Sequence, residues 1–214
     1  MPIERSIAAA THGRCLIAPP EVSGPAPILA GFHGYAEDAR MQLGRLRGLP
    51  GSERCLIVSI QGLHTFYNRR TNEVVASWMT KQNREQAIAD NIGYVKTCLD
   101  AVAREWQAAP LAVFAGFSQG AAMAFRAAVH FGDGVAGVIA AGGDVPPEIK
   151  SDQLRKIPRI LIARGSGDAL YSEEQFGKDE SRLRESGVNV HTLHFSGGHE
   201  WPSDFGDPLG WLLS

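Results

Sequence analysis

One short segment combines the residue types that a hydrolytic nucleophile needs. Residues 116–120 read Gly-Phe-Ser-Gln-Gly, so Ser118 stands between two glycines in the pattern Gly-x-Ser-x-Gly. An apolar run at 111–115 precedes the pattern, and an alanine-rich helical pattern follows it. Where a strand turns sharply into a helix, such glycines let the two elements approach closely and leave the serine hydroxyl exposed on a strained turn. The segment therefore predicts a nucleophile elbow at Ser118.

A serine hydroxyl is a weak nucleophile until a neighbouring base takes its proton. Because the chain holds 24 glycines, Gly-x-Ser-x-Gly can also arise by chance, so the interpretation depends on partner residues. In the architecture with such an elbow, an acid and then a histidine follow the serine, each on a loop after a strand. Asp168 lies in a glycine-bracketed loop after the run 160–163, and His199 follows the run 188–195. We therefore predict a catalytic triad of Ser118, His199 and Asp168.

The roles within this triad follow from where the protons must go. His199 accepts the Ser118 proton during attack and returns it to the leaving group, while Asp168 fixes the tautomer of the imidazole. Asp144, which follows the run 135–141, is an alternative acid, because aspartates in glycine-rich turns commonly serve local hydrogen bonding. Placement after the next strand favours Asp168.

The tetrahedral intermediate of acyl transfer carries a negative charge that needs two fixed N–H donors. One candidate donor is the backbone amide of Gln119, next to the nucleophile and at the positive end of the following helix. The other is the amide of Tyr35, because the early run 27–32 leads directly into His33-Gly34-Tyr35. Without the elbow, His33 and Gly34 would be interpreted as a plain turn.

Histidines close to His199 raise the alternative of a metal site. His191 and His194 are an odd number of residues apart on a predicted strand, so their side chains point to opposite faces. They cannot both face one ion without a bulge. We expect no metal here and interpret both as ordinary strand residues.

Short apolar runs alternate with helical patterns along the chain. The runs are 15–18, 27–32, 55–60, 111–115, 135–141, 160–163 and 188–195. Most are continuous rather than alternating, which predicts strands covered on both faces, as in a parallel sheet between helices. The helical patterns lie at 38–48, 85–106, 119–131, 147–156, 173–185 and 202–212. We predict a single three-layer α/β domain over residues 1–214, with a mostly parallel sheet of about seven strands.

Residues 61–81 interrupt this alternation with aromatics, two arginines and no clear period. A loop of that length in a compact domain is more often functional than idle, and it follows a strand, where ligands bind in open α/β sheets. We therefore expect this segment to help shape a binding site.

Bulk properties exclude several classes of protein. A net charge of −2, with 21% charged residues, gives no basic patch for nucleic acid or an anionic membrane. No apolar block reaches the length of a signal peptide or a membrane-spanning helix. The three scattered cysteines predict free thiols in a reducing compartment, so we expect a cytoplasmic protein without stable membrane insertion.

These motifs resemble the phospholipase/carboxylesterase group of α/β-hydrolases, which includes the acyl-protein thioesterases. Residues 116–121, GFSQGA, are similar to its elbow, and the segment 32–38 is similar to its HG…AED oxyanion segment. Residues 165–168 and 198–200 are similar to its GxxD and GHE stretches, and Trp78 falls near a tryptophan typical of the group. The resemblance implies an α/β-hydrolase without a cap domain and a serine esterase that needs no cofactor. Arg164 departs from the group, which commonly has histidine there.

We predict hydrolysis of carboxylic esters or thioesters of small to medium acyl groups through an acyl-Ser118 intermediate. The substrate pocket is predicted from residues near the loops that should surround the serine: His33, Trp78, Leu170, Tyr171 and Trp201. Core packing is the alternative for each of them. The same triad could also serve an acyltransferase or a serine peptidase, and a non-catalytic ligand-binding relative is a further alternative. The sequence leaves the oligomeric state open, a homodimer included.

Overall fold

A sheet of seven strands forms the centre of the molecule, and the computed structural model describes residues 2–214. The nine strands are β1 Arg14–Ala18, β2 Ile28–Phe32, β3 Leu56–Gln61, β4 His64–Tyr67, β5 Val74–Ser77, β6 Ala112–Phe117, β7 Val135–Ala141, β8 Arg159–Gly165 and β9 Asn189–Phe195. The central sheet has the order β1-β3-β2-β6-β7-β8-β9. Only β1 runs antiparallel to its neighbour, and all other pairs are parallel.

Helices cover both faces of this sheet. They are α1 Ala39–Arg47, α2 Arg84–Glu105, α3 Gln119–Phe131, α4 Ser151–Leu154, α5 Glu173–Glu185 and α6 Pro208–Leu212. Alternate residues of each central strand enter different cores: Phe114 packs with residues of α2, α3 and α5, whereas Val113 and Ala115 pack with residues of α1 and α6. Because both faces are buried, the strand sequences read as continuous apolar runs.

The predicted class, a three-layer α/β fold with a mostly parallel sheet of seven strands, is confirmed.

Two helices are shorter than their sequence patterns indicate. The pattern at 147–156 yields only α4, because Pro146 and Pro147 stand at its start and the chain makes a turn there. The pattern at 202–212 yields only α6, since Gly206 has a φ of 68° and breaks the helix before Pro208.

Part of the segment 61–81 is more regular than its sequence indicates. Strands β4 and β5 form a separate two-stranded antiparallel hairpin, closed by a hydrogen bond from the Asn68 N–H to the Glu73 carbonyl. The hairpin joins the loop after β2 through an isolated bridge between Glu37 and Ala76. A segment interpreted as a loop is therefore a hairpin attached beside the carboxyl ends of the central strands.

Within residues 2–214 no helix combines the length and the apolar character needed to cross a lipid bilayer.

Candidate active site

Ser118 occupies a strained turn between β6 and α3. Its backbone has φ 52° and ψ −119°, a conformation that a residue with a side chain rarely adopts. The turn is held by a hydrogen bond from the Ser118 N–H to the Ala141 carbonyl at the end of β7. As predicted from the Gly-x-Ser-x-Gly pattern, a strand turns directly into a helix at this serine.

The two flanking glycines are required by close backbone contacts. A Cβ atom on Gly116 would collide with the backbone of Gly120, the second residue of α3. A Cβ atom on Gly120 would collide with the carbonyl groups of Phe32 and His33, at the end of the neighbouring strand β2. Their small size thus lets α3 lie directly against the sheet and brings Ser118 next to the loop after β2.

The structure brings the three predicted triad residues together. His199 Nε2 lies 2.9 Å from Ser118 Oγ, and His199 Nδ1 lies 2.9 Å from Asp168 Oδ2. When Nδ1–H donates to the carboxylate, Nε2 is free to accept the serine proton. Asp144, the alternative acid, makes no such hydrogen bond to His199 in the described residues. The arrangement can therefore move a proton from the hydroxyl of Ser118 to the imidazole.

Asp168 is buried yet remains ionised. Burial of its carboxyl opposes ionisation, but the Tyr171 N–H, the His199 imidazole and the Leu170 N–H all donate to it and hold its pKa below the ordinary value of 3.8. The side chain is only 1% exposed, whereas that of His199 is 21% exposed. A buried carboxylate thus orients an imidazole that is partly open to solvent.

Arg164 holds the loop that carries the acid. Its Nε donates to the Tyr171 carbonyl at 2.8 Å, its Nη2 donates to the Asp168 carbonyl at 3.2 Å, and its Nη1 pairs with Glu173 at 2.8 Å. The side chain is buried and lies outside the reacting centre. Arg164, one of the positions at which the sequence departs from the group it resembles, therefore fixes the loop of Asp168 in place.

The backbone N–H groups of Tyr35 and Gln119 donate to no acceptor within residues 2–214. Gln119 follows the nucleophile as the first residue of α3, and Tyr35 belongs to the loop after β2, the strand beside β6. Both groups are thus free to donate to a further acceptor, and their role in binding an oxyanion stays a prediction.

His33 supports the loop that contains Tyr35. Its Nε2 accepts from the Gly62 N–H at 3.0 Å, so Nδ1 carries the proton and donates to the Gly34 carbonyl at 2.7 Å. Burial lowers the pKa of this imidazole, which keeps it neutral. Trp78 adds a further contact, since its Nε1–H donates to the His33 carbonyl at 2.9 Å.

Glu37 and Arg45 form a second support for this loop, which the sequence did not reveal. The Glu37 carboxylate accepts from the Gly34 N–H at 2.7 Å and pairs with the Arg45 guanidinium at 2.6 and 2.7 Å. The guanidinium lies 4.4 Å from the centre of the Phe117 ring, which in turn packs 5.0 Å from the His199 ring. A sequence signal for this ion pair is hard to find because the partners are eight residues apart in different elements.

The predicted pocket residues divide into two groups. The side chains of His33, Trp78 and Tyr171 are buried in the core or among structural hydrogen bonds, so they support the site from beneath and do not line an open pocket. Leu170 is 78% exposed and Trp201 is half-buried, 6.0 Å from the Arg45 guanidinium. Core packing, the alternative considered for these residues, describes the first group.

The side chain of Gln119 ties the elbow to the segment after β5. Its Oε1 accepts from the Trp78 N–H at 2.8 Å and the Ser77 hydroxyl at 3.1 Å, and its Nε2 donates to the Met79 carbonyl at 2.9 Å. The predicted contribution of the segment 61–81 therefore comes through its end, which forms one wall beside the nucleophile.

His191 and His194 point to opposite faces of β9. The first packs against Trp211 of α6, and the second packs against Phe176 of α5. Among the described residues no group of histidine, cysteine and carboxylate side chains has the geometry of a metal site.

Comparison with known proteins agrees with this architecture. A sequence model of the phospholipase/carboxylesterase family matches residues 72–202. A search of curated proteins finds no significant match. Among solved structures, a carboxylesterase from Bacillus cereus superposes with a TM-score of 0.67, at 17% identity over 89% of this chain and 88% of that one. Acyl-protein thioesterase 2 from Zea mays superposes with a TM-score of 0.66, at 17% identity over 89% of this chain and 93% of that one. Esterase PE8 gives 0.66 at 21% identity, over 88% and 90%.

The sheet order, the helices on both faces and the strained serine turn define an α/β-hydrolase, and residues 2–214 include no separate cap domain. More than half of the chain matches the family model, so the chain belongs to the phospholipase/carboxylesterase family. It is accordingly a hydrolase of the carboxylesterase and thioesterase type.

Proposed function

We propose that the chain hydrolyses carboxylic esters or thioesters of small to medium acyl groups through a covalent acyl-Ser118 intermediate. The observation that supports this most directly is the continuous hydrogen-bonded path from Ser118 through His199 to Asp168, with 2.9 Å at each step. Such a path is what an unactivated hydroxyl needs to become a nucleophile at neutral pH.

In the first half of the reaction, Ser118 Oγ attacks the carbonyl carbon while its proton moves to His199 Nε2. The electron pair of the carbonyl bond moves to its oxygen, where the N–H groups of Tyr35 and Gln119 stabilise the charge. Collapse of this intermediate breaks the bond to the alcohol or thiol, which leaves with the proton from His199. The result is an ester of Ser118.

In the second half, water replaces the alcohol or thiol beside His199. The imidazole takes a proton from the water, the resulting hydroxide attacks the acyl carbon, and the same two N–H groups stabilise the second intermediate. Its collapse releases the carboxylic acid and returns the proton to Ser118. No redox or metal-dependent step is part of this scheme.

Replacement of the nucleophile tests the proposal. We expect Ser118→Ala to reduce turnover of p-nitrophenyl acetate and butyrate by about six orders of magnitude, because the hydroxyl and imidazole act as a unit. Ser181→Ala is the matched control, since Ser181 is exposed on α5 and makes no side-chain hydrogen bond in the described residues. A fluorophosphonate probe should label the wild type and Ser181→Ala at Ser118 and leave Ser118→Ala unlabelled. Wild-type activity in purified, folded Ser118→Ala would show that the proposal is wrong.

A chain-length series tests the size of the acyl group. Acetyl, butyryl and octanoyl esters and thioesters are compared by kcat/KM, with added alcohols and amines to detect acyl transfer. We expect acetyl or butyryl substrates to be preferred and water to be the dominant acceptor. Much faster turnover of octanoyl substrates would contradict a short acyl site, and products formed mainly with the added nucleophile would indicate a transferase.

A further inference from the structure

A charged cavity lies directly beside the nucleophile elbow. Its volume is about 320 Å³, and its lining includes Lys81, Arg84, Gln119, Ala122, Arg126 and Asp144. Gln119 and Ala122 belong to the first turn of α3, so this cavity begins one residue from Ser118. Arg84 is the first residue of α2, Lys81 lies three residues before it, and Asp144 follows β7.

Cations dominate this lining. Lys81 and Arg84 are exposed, and neither forms an ion pair among residues 2–214. The start of α2 adds partial positive charge, because its N-cap residue Asn83 makes no side-chain capping hydrogen bond. The side chains of Lys81 and Arg84 thus carry donors without an ion-pair partner among residues 2–214.

Arg126 forms the floor of the cavity. Its side chain is only 2% exposed, and its Nε and Nη2 atoms are bound by Glu148 at 2.8 and 2.6 Å. Its Nη1 has only the Met79 sulfur, at 3.9 Å, as an acceptor in the described residues. A thioether is a weak acceptor, so a buried guanidinium nitrogen lacks a good partner at this position.

The balance of charges around the cavity indicates how many negative charges a bound anion should carry. Three cations (Lys81, Arg84 and Arg126) face two carboxylates, Asp144 on the rim and Glu148 beside the guanidinium. One positive charge therefore remains. This balance suits a single carboxylate, whereas a second negative charge would meet Asp144 without compensation.

The position relative to His199 indicates which part of the substrate reaches the cavity. The leaving group must lie within reach of His199 Nε2, which donates a proton to it. The ring of His199 packs against Phe117, which does not line the cavity. None of Ser118, Asp168 and His199 lines the cavity, and most of its lining comes from α3 and from the segment that leads into α2. This placement suits the acyl group better than the leaving group, which His199 must reach.

We propose that this cavity binds a carboxylate at the far end of the acyl group, so that the preferred substrates are half-esters or half-thioesters of short dicarboxylic acids. The inference rests on the proposed hydrolase function and specifies its substrate class. Lys81 and Arg84 attract and bind the carboxylate at the rim, and Arg126 Nη1 donates to it from beneath.

Matched neutral and anionic substrates test this assignment, with acid release followed by titration at constant pH. Monomethyl glutarate carries a carboxylate on the acyl side, and methyl pentanoate is its neutral counterpart. The acetate ester of glycolate carries the carboxylate on the alcohol side, with ethyl acetate as its counterpart. We expect kcat/KM for monomethyl glutarate to exceed that for methyl pentanoate by about tenfold or more, since hydrogen bonds to charged groups are the strong ones. The alcohol-side pair should show no such preference.

Variants of the two rim cations supply the second readout. Arg84→Gln and Lys81→Gln should each lower kcat/KM for monomethyl glutarate by about tenfold and leave methyl pentanoate within about twofold. Arg104→Gln, at the other end of α2, and Lys156→Gln are exposed controls outside the cavity and should change neither substrate.

The outcomes separate this inference from the proposed function. Turnover of both acyl-side substrates at equal kcat/KM, with no effect of Lys81→Gln or Arg84→Gln, would overturn the carboxylate site and leave the hydrolase intact. A preference confined to the glycolate ester would also overturn it, because the cavity would then serve the leaving group. If the wild type hydrolysed none of these esters, the result would instead contradict the proposed function itself.

Discussion

Ser118 combines two properties that rarely occur together, a strained backbone and a side chain within reach of solvent. Two features hold the positive φ of 52°: the hydrogen bond from the Ser118 N–H to the Ala141 carbonyl, and the close backbone contacts of the two glycines around the turn. In the proposed mechanism, strain of this kind orients the hydroxyl before substrate arrives. At the residue scale, the site is therefore preorganised by backbone geometry as much as by the triad contacts.

Asp168 offers a test of the triad that leaves the nucleophile in place. Asp168→Asn should keep the fold but reduce kcat by about 10⁴-fold, because an amide favours the wrong imidazole tautomer and cannot stabilise the imidazolium. The matched control is Asp133→Asn, an exposed position without an ion pair in the described residues, which should retain wild-type kcat. Steady-state kinetics on p-nitrophenyl butyrate give the comparison. Near-normal kcat in Asp168→Asn would exclude this carboxylate as the triad acid.

The residue types of the site were readable from the sequence, but their supports were not. The order of serine, aspartate and histidine after successive strands predicted the set that the structure joins by hydrogen bonds. Glu37 and Arg45 gave no such signal, since oppositely charged residues occur widely on protein surfaces. Only the fold shows that Glu37 accepts from the Gly34 N–H while it pairs with Arg45. Burial also decided the placement of Trp78, which sequence position alone had assigned to the pocket.

At the scale of elements, the contact between α3 and β2 depends on a glycine. Gly120→Ala should destabilise the protein by about 1–3 kcal/mol or more, because the added methyl group meets the carbonyl groups of Phe32 and His33. Gly177→Ala is the matched control within α5, where nothing lies within 4 Å of the added atom. That change should stabilise the protein by up to about 1 kcal/mol through helix propensity. Urea unfolding measures both effects, and equal stability of the two variants would refute the close contact.

The strands of the central sheet were predicted well because strands that are buried on both faces have continuous apolar sequences. Each of the seven apolar runs corresponds to a strand of the central sheet, and every end agrees within two residues. The hairpin of β4 and β5 has no such continuous apolar run on β4. Most of its side chains on β4 are exposed, so no apolar pattern distinguished it from a loop.

At the scale of the whole molecule, Asp168 links the site to stability against acid. Its pKa in the folded protein lies below the ordinary value of 3.8, so the folded state binds that proton more weakly than the unfolded chain does. The carboxylate therefore stabilises the fold above about pH 3.8, and this contribution is lost as the pH falls through the lowered pKa.

Melting temperatures of wild type and Asp168→Asn between pH 7 and about pH 2.5 test this linkage. The wild type should be the more stable protein at neutral pH, and the difference should shrink below pH 3.8 as Asp168 becomes protonated. Asp133→Asn should follow the wild type throughout. A difference that is independent of pH would show that the ionised carboxylate does not favour the folded state.

The parallel order of the strands also has a consequence for folding kinetics. Ser118 and His199 are 81 residues apart in the chain, and His199 and Asp168 are 31 apart, so no local segment can form the site by itself. Each of these contacts must await closure of long chain loops, whose entropic cost precedes any favourable interaction. In the proposed mechanism, hydrolytic activity during refolding should therefore appear only after β9 has paired with β8, since His199 follows β9 and Asp168 follows β8.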